Sequence, residues 1–199
     1  MLRLGTEPLP QYLALEHARA VRKLVEDIAL VKPGENVVIS ADTASDWRLV
    51  QATAAAVYAA QGIPVVFWYA TGRPVQDEPP KPASLGLEGA DVWIDYSVGY
   101  AFRTRAHQNA LAAGCRYLCF SGMDVDMVVS TIGRVEYEDL LRLGNALRRL
   151  VAEASHVRIT SASGTELDME NGDCKILHSG KLADTPGESV MLGGQIGWS

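Results

Sequence analysis

Several motifs that often identify an activity are missing from this sequence of 199 residues. It contains neither G-x-G-x-x-G nor G-x-x-x-x-G-K-[ST], which argues against the phosphate cradles of dinucleotide-binding and P-loop proteins. It has no run of about 18 apolar residues, so no transmembrane helix and no membrane partner are expected. No basic segment followed by an apolar core opens the chain, so no secretory signal is expected.

Basic residues are outnumbered and cysteines are few. The chain has 18 Lys+Arg against 24 Asp+Glu, a net charge of −6, and no basic stripe, which argues against a nucleic-acid partner. Three cysteines without a signal peptide fit a reducing cytoplasm, where we expect the protein. Cys115 and Cys119 have no neighbouring Cys or His pair that would complete a zinc site, so we expect buried structural thiols there.

The first three quarters of the chain alternate between short β-branched segments and segments of helical periodicity. Hydrophobic residues make up 48% of the sequence, as in ordinary globular proteins. The predicted strands are 36–40, 63–69, 91–95 and 116–120, and the predicted helices include 12–28, 47–61, 104–113 and 135–155. This alternation predicts an α/β fold with an open, mainly parallel, doubly wound sheet of the Rossmann-like type.

The pattern changes after residue 155. Segments 156–160, 165–169 and 174–178 alternate with period two, and turn residues such as Asn171-Gly172 separate them, which predicts an antiparallel meander. Three short strands bury too little surface to fold alone. We therefore expect an N-terminal α/β domain over 1–155, and over 156–199 the start of a β-rich catalytic domain that is truncated or completed by another chain.

Polar residues follow the first predicted strand, at the sheet edge where doubly wound folds bind ligands. Asp42, Ser45 and Asp46 could hold a cation or a substrate amine there. The same residue types also cap helices, because their side-chain oxygens accept hydrogen bonds from the first free backbone N–H groups. Both interpretations remain open, and capping is favoured.

A second group of candidates follows the third predicted strand. Arg103 and Arg105 lie near Tyr100 and could clamp a carboxylate in bidentate geometry, or could simply begin a solvated helix. His107 falls in the first turns of the next helix, at the same edge. Near the end of the chain, Trp198 lies beside glycines that allow a backbone to approach a ligand closely. Tyr100, Arg103, His107 and Trp198 are therefore our candidate substrate-binding residues.

Three stretches carry a resemblance to a known family. They are Val31-Lys32-Pro33-Gly34-Glu35-Asn36-Val37-Val38-Ile39 followed by Asp42-Thr43 and an alanine-rich helix, Val157-Arg158-Ile159-Thr160 through Gly164-Thr165-Glu166-Leu167, and Gly193-Gly194-Gln195. They resemble the N-terminal part of the thermophilic metalloprotease or aminopeptidase T family, with Glu166 in place of that family's usual Asp. The same superfamily includes 2,5-dihydroxypyridine 5,6-dioxygenase.

The resemblance implies a metal in either branch. The peptidase branch implies a pair of divalent cations that activate water, and the dioxygenase branch implies one iron held by histidines and a carboxylate. In both branches the ligands lie beyond residue 199, so we expect a divalent metal (Zn, Co or Fe) in the complete enzyme and none bound by this chain alone. The dioxygenase branch also implies that the region 99–103 reaches toward substrate.

We take as the main expectation the N-terminal part or subunit of a metal-dependent, aminopeptidase-like hydrolase that shapes a substrate pocket. The alternatives are an Fe(II)-dependent ring-cleaving dioxygenase of hydroxypyridine-type substrates and a non-catalytic partner subunit. The expected partners are a small molecule or short peptide as substrate and further protein chains. The latter would form a homo-oligomer, or a hetero-oligomer with a chain that supplies the rest of the catalytic domain.

Overall fold

A five-stranded sheet forms the centre of the first part of the chain. The computed structural model describes residues 11–72, 77–192 and 194–198. The strands are β1 (Asn36–Asp42), β2 (Ile63–Tyr69), β3 (Val92–Asp95), β4 (Arg116–Cys119), β5 (His156–Thr160), β6 (Glu166–Glu170), β7 (Ile176–His178), β8 (Ser189–Met191) and β9 (Ile196–Trp198). The large sheet has the order β2-β1-β3-β4-β8.

The first four strands pair in parallel, which confirms the predicted α/β fold. Strand β1 pairs with both β2 and β3, and β3 pairs with β4, all in parallel. The strands β1 and β3 are almost wholly buried, as expected of central parallel strands covered on both faces. The register places Ser40 beside Asp95 and Asp95 beside Cys119, so the carboxyl ends of these strands lie at one edge.

The described ranges contain six α-helices. They are α1 (Ala14–Lys23), α2 (Trp47–Ala59), α3 (Lys81–Leu87), α4 (Arg105–Ala112), α5 (Val125–Val128) and α6 (Tyr137–Glu153). Helices α1 and α5 each continue into a π-helical turn, Leu24–Ile28 and Val129–Gly133. Helix α5 was not predicted, because four residues show no periodicity. Its start is fixed by the Asp124 carboxylate, which accepts the backbone N–H of Met127 at 2.8 Å.

The described chain divides into two compact units. One comprises 1–135 and 182–190, and the other comprises 136–181 and 191–199. The predicted boundary near residue 155 would assign α6 to the first domain, whereas α6 groups with the strands that follow it. The predicted domain division remains a prediction about the complete protein.

The second unit has antiparallel strands, as predicted, but they do not form the predicted three-stranded meander. Strands β5 and β6 form an antiparallel hairpin, but β7 pairs with β9 instead of β6. The reason is Asn171, which the sequence suggested as a hairpin turn. Its buried amide donates to the carbonyls of Val151 and Ala154 at the end of α6, at 2.6 and 2.9 Å. Asn171 therefore closes a helix end, and β7 begins in a new direction.

No helix of the described ranges has both the length and the apolar character that a membrane span requires.

Arg116, the first residue of β4, joins four segments of the first unit. Its side chain is 4% exposed and pairs with Glu35 at 2.5 Å. It also donates to the carbonyls of Ala29 and Leu30, at 3.0 and 3.3 Å, and of Ala183 at 2.8 Å. The last bond holds the returning segment that leads to β8. Because a buried guanidinium is costly without partners, these contacts must form together.

Replacing Arg116 with Met tests this connection. R116M removes the donors and leaves the Glu35 carboxylate and three carbonyls without their partner, so we expect a loss of about 3 kcal/mol in the free energy of unfolding. Urea unfolding followed by circular dichroism measures it. The matched control is R22M, since Arg22 is exposed and its ion pair among the described residues is an i,i+4 pair with Glu26. The control should change by less than about 0.5 kcal/mol. Equal stabilities of the two variants would contradict the assigned role.

Candidate functional site

The strand order places a crevice at the carboxyl edge between β1 and β3. The chain passes from β1 through α2 to β2 on one side, and then through α3 to β3 on the other side of β1. In open α/β sheets, ligands bind at such a reversal of direction, beyond the carboxyl ends of the strands. The loops that follow β1 and β3 therefore define the candidate site.

Asp42 closes this crevice from within. Its carboxylate accepts hydrogen bonds from the backbone N–H groups of Val98 at 2.7 Å and Gly99 at 3.2 Å. It also accepts the backbone N–H of Ala44 at 3.0 Å and the hydroxyl of Ser45 at 3.1 Å. The residue is 1% exposed. Paired N–H groups of this kind would otherwise attract an anion, so an internal carboxylate takes the place of a phosphate here. Asp42 joins two loops and does not reach solvent.

Asp46 caps α2, as the capping interpretation holds. Its carboxylate accepts the backbone N–H of Arg48 at 3.1 Å, and the Arg48 guanidinium donates to it at 2.9 and 2.6 Å. Burial alone would raise the pKa of Asp46, but the hydrogen bonds and charge of Arg48 lower it below its ordinary value. The carboxylate is committed to these partners.

A buried network around Asp95 lies directly beneath the crevice, and no local sequence pattern indicates it. The fully buried carboxylate accepts the hydroxyls of Ser40 and Ser97, at 2.7 and 2.5 Å, and of Tyr117 at 2.9 Å. The Trp93 indole donates in turn to Ser40 at 2.6 Å. Burial raises the pKa of Asp95, and its hydrogen-bond donors offset part of that effect. The network fixes β1, β3 and β4 relative to one another at their functional ends.

A small cleft opens beside this network, at the end of β2. It has a volume of about 160 Å³, and its lining includes Tyr69, Gly72, Pro79, Ser97 and Gly99. Burial raises the pKa of Tyr69 to about 12, so its hydroxyl keeps its proton at neutral pH. The cleft therefore combines an aromatic wall with hydroxyl groups.

Tyr100 and Arg103 lie on the loop between β3 and α4. Both have left-handed backbones, with φ of 54° and 68°, which is uncommon for residues with side chains. The Arg103 guanidinium lies 5.2 Å from the ring centre of Phe102, and the Tyr100 ring lies 5.7 Å from the same ring. Burial and the neighbouring Cys119 raise the pKa of Tyr100, while Arg103 lowers it in part. Strained loop residues of this kind concentrate at functional sites.

Arg105 differs from Arg103 in its surroundings. It is the first residue of α4, and its backbone N–H donates to the Glu78 carboxylate at 2.5 Å. It lines a surface groove of about 290 Å³ together with Lys81, Ser84 and Asn109, and this groove adjoins the cleft at Glu78 and Pro79. The two arginines thus have different neighbours, and Arg103 is the one that lies against Phe102, whose ring also packs with that of Tyr100.

His107 is buried and surrounded by aromatic rings. It is 5% exposed, its ring centre lies 4.7 Å from that of Tyr117 and 5.1 Å from that of Phe102, and its Nε2 is 2.7 Å from the Ser189 hydroxyl. Burial lowers the pKa of His107. These contacts join α4 to β8, and the substrate-binding role remains a prediction.

Trp198 belongs to the second unit. Its indole N–H donates to the Asn171 side-chain oxygen at 2.6 Å, so this N–H already has a hydrogen-bond partner within the unit. Gly193 and Ser199, which flank the predicted glycine-rich segment, lie outside the described residues. The predicted role of Trp198 in substrate binding is likewise untested.

The residues present do not fit a metal centre. Within 11–72, 77–192 and 194–198, no group of three or more His, Cys, Asp and Glu side chains is arranged to hold a metal ion. Of the thiols, Cys115 is buried and Cys119 half-buried, whereas Cys174 is exposed. Burial raises the pKa of Cys115 to about 12, which makes it an unreactive core thiol.

The fold and cleft define a doubly wound α/β protein whose loops can line a small-molecule pocket. The family model of 2,5-dihydroxypyridine 5,6-dioxygenase (NicX) matches residues 19–196, and the chain belongs to that family. A solved structure of 2,5-dihydroxypyridine dioxygenase from Pseudomonas putida KT2440 is similar, with a TM-score of 0.63 and 17% identity. At this identity the likeness concerns the fold alone.

The chain spans about half the length of that solved relative. The match covers 94% of this chain and 55% of the relative. No curated protein matches the chain. Membership of a dioxygenase family is consistent with the expected dependence on a divalent metal.

This membership overturns the main expectation from the sequence. The assignments as aminopeptidase T relative, metalloprotease and hydrolase are wrong, because the matching family is a dioxygenase. The stretches that carried the resemblance explain the error. Residues 31–39 form a turn and most of β1, and residues 164–167 form the turn into β6. They encode backbone geometry, which related folds share, and carry no reacting group.

The pH dependence of stability tests the Asp95 network. Because the folded pKa of Asp95 lies above its unfolded value, its contribution is fully present below the unfolded pKa and declines as pH rises toward the folded pKa. D95N cannot titrate and keeps one acceptor oxygen. We therefore expect the stability advantage of wild type over D95N to be larger at pH 4 than at pH 7, measured by urea unfolding.

The control for this experiment is D184N, which changes an exposed carboxylate of the same unit. Its stability should follow that of wild type within about 0.5 kcal/mol at both pH values. A wild-type advantage over D95N that grows toward pH 7 would show that Asp95 is held as a stabilised anion and would contradict the assignment.

Proposed function

We propose that this chain is the N-terminal part of an Fe(II)-dependent dioxygenase that cleaves the ring of hydroxypyridine-type substrates. The observation that carries the proposal is the match of the 2,5-dihydroxypyridine 5,6-dioxygenase family model over residues 19–196. An Fe(II) centre in the complete protein would supply oxygen activation and open positions for the hydroxylated substrate. Since the described residues offer no metal cluster, the iron ligands would come from the rest of the complete protein.

The part of the reaction assigned to this chain is to bind and orient the substrate. The proposal places the loop with Tyr100 and Arg103, at the carboxyl edge, as one wall of the pocket. A flat heteroaromatic ring suits an aromatic surface such as Tyr100 and Phe102, whose centres are 5.7 Å apart. The Arg103 guanidinium carries a permanent charge and can donate a hydrogen bond to a hydroxyl substituent of the ring that has lost its proton.

The buried carboxylates support this wall without touching substrate. Asp42 holds the loop at Val98 and Gly99, and Asp95 holds Ser97. A wall fixed by several hydrogen bonds loses little freedom when the ring binds, which favours a defined orientation. The tyrosine at position 100 keeps its proton at neutral pH, because its pKa is raised, and it can therefore donate a hydrogen bond.

Oxygen uptake by the complete protein tests the proposed activity. The protein expressed from its complete reading frame and supplied with Fe(II) should consume oxygen in a 1:1 ratio with 2,5-dihydroxypyridine, and the absorbance of the aromatic ring should disappear. The same preparation should release no amino acids from dipeptides. Dipeptide hydrolysis without oxygen uptake, or neither activity in a folded, iron-loaded protein, would contradict the proposal.

Two arginine variants test the assigned wall. R103A should raise KM for the substrate about tenfold, since a charge-assisted hydrogen bond contributes about 1.5 kcal/mol or more to binding. The value of kcat should change by less than about threefold, because Arg103 is not assigned to the chemical step. The matched control is R105A, an exposed arginine two residues away that lines a different groove. Equal effects of the two substitutions on KM would contradict the assignment of Arg103 to the pocket wall.

A further inference from the structure

Strand β2 forms an outer edge of the five-stranded sheet and carries no charged residue. Within the parts of the chain that the structure describes, β2 pairs with β1 alone. Its sequence, Ile63-Pro64-Val65-Val66-Phe67-Trp68-Tyr69, is apolar apart from one hydroxyl. Soluble proteins protect edge strands with charges, bulges or covering segments, because unpaired strands otherwise associate. An uncharged edge of seven residues therefore calls for a partner.

The side chains along this edge are unusually exposed for apolar residues. Trp68 is 62% exposed, Ile63 49% and Val65 38%. Trp47 of α2, itself 45% exposed, lies 5.7 Å from the Trp68 ring and holds it in place. Tyr58 lies on the same helix face as Trp47, eleven residues further along, and is 76% exposed.

These five side chains supply part of the surface that a dimer interface requires. Their exposed parts amount to on the order of 500 Å², whereas a stable interface buries about 800 Å² on each partner. The backbone of β2 and its remaining side chains can supply the difference. Because successive side chains of a strand point to opposite faces, Trp68 lies with Trp47 and Tyr58 on one face, and Ile63 and Val65 lie on the other. The exposed apolar groups therefore flank the β2 backbone on both sides, as expected of an edge that another strand covers.

The backbone direction of β2 defines which groups are available. The N–H of Ile63 donates to Glu35 at 2.8 Å, toward β1. Because peptide groups alternate along a strand, those of Val65 and Phe67 also face β1, and those of Pro64, Val66 and Trp68 face outward. Proline has no N–H, so the outward donors are those of Val66 and Trp68. Proline occupies a position where it breaks no bond within the sheet.

We propose that two copies of this chain associate through β2, antiparallel and about a two-fold axis at Val66. In this arrangement the two Val66 residues exchange both of their N–H to carbonyl bonds. Each Trp68 N–H then meets the Pro64 carbonyl of the other copy. Both outward donors of each strand are satisfied, and the missing proline N–H leaves only one acceptor in each copy without a strand bond. The two sheets become continuous.

The same register matches the side chains. The Trp68 ring of one copy lies beside Pro64 of the other, and Val65 lies beside Phe67, so apolar groups meet on both faces of the joined sheet. The two α2 helices lie side by side, with Trp47 of one copy near Tyr58 of the other. A two-fold interface must be self-complementary, and this edge, with no charge to repel its own copy, satisfies that condition.

The mass of the complete protein in solution, with and without the substitution Trp68→Lys, tests the proposal. Wild type should have the mass of an even number of chains, and W68K should halve it. The dissociation constant of the pair should rise at least about thirtyfold, because the aromatic anchor that packs beside Pro64 of the other copy is replaced by a charge that would lose its water there. The matched control is L15K, since Leu15 is 85% exposed on α1, and its mass should not change.

Hydrogen exchange of the Val66 and Trp68 amides provides an independent measurement. Both should be protected in wild type and exchange rapidly in W68K, while the Ile63 and Val65 amides remain protected in both proteins. If W68K fails to fold, V66P removes one outward donor without touching the bonds to β1 and should also weaken the pair. A monomeric wild type, or protection of Val66 and Trp68 that persists in monomeric W68K, would overturn the proposal, because another part of the same polypeptide would then cover β2.

Discussion

The carboxyl edge of the sheet depends on one buried carboxylate. Asp95 is fully enclosed, yet it accepts hydrogen bonds from Ser40 on β1, from Ser97 on the following loop and from Tyr117 on β4. A buried carboxyl group is costly unless its oxygens are satisfied, so these donors must be placed together. The requirement aligns three strands at the end where the fold binds ligands.

Asp42 is a second buried carboxylate at the same edge, and it holds the loops that follow β1 and β3. It receives the backbone N–H groups of Val98 and Gly99 and so joins the loop after β3 to the loop after β1. The two carboxylates thereby fix the base of the segment that carries Tyr100 and Arg103. The exposed residues of that segment, rather than the carboxylates, remain available to a ligand, which explains how a wall can be rigid and still present binding groups.

Much of the fold could be predicted because it is encoded locally. β-Branched segments between turn residues located β1 to β4, and β2 agrees with the prediction at both ends, Ile63 and Tyr69. Long-range contacts were hidden. Asp95 looked like the end of an apolar strand, since two of its donors, Ser40 and Tyr117, lie 55 and 22 positions away. Asn171-Gly172 had the composition of a hairpin turn, but Asn171 is bonded to the end of α6. The return of the chain to β8 depends on Arg116 and Ala183, which no local pattern links.

The family assignment shows the same distinction between backbone and chemistry. Within the described residues, the stretches that suggested a peptidase form turns, strands and the helix α2, and they could not separate the two branches of the superfamily. The wall and the reacting centre are also separate in the proposed enzyme, because this chain spans about half of its solved relative and its described residues offer no metal cluster. A crystal structure of the complete protein with bound 2,5-dihydroxypyridine tests this division of labour most directly. The account predicts the ring against Tyr100 and Arg103, with the metal held by residues outside 11–198. A ring bound away from the carboxyl edge of β1 and β3, or a metal held by the described residues, would contradict it.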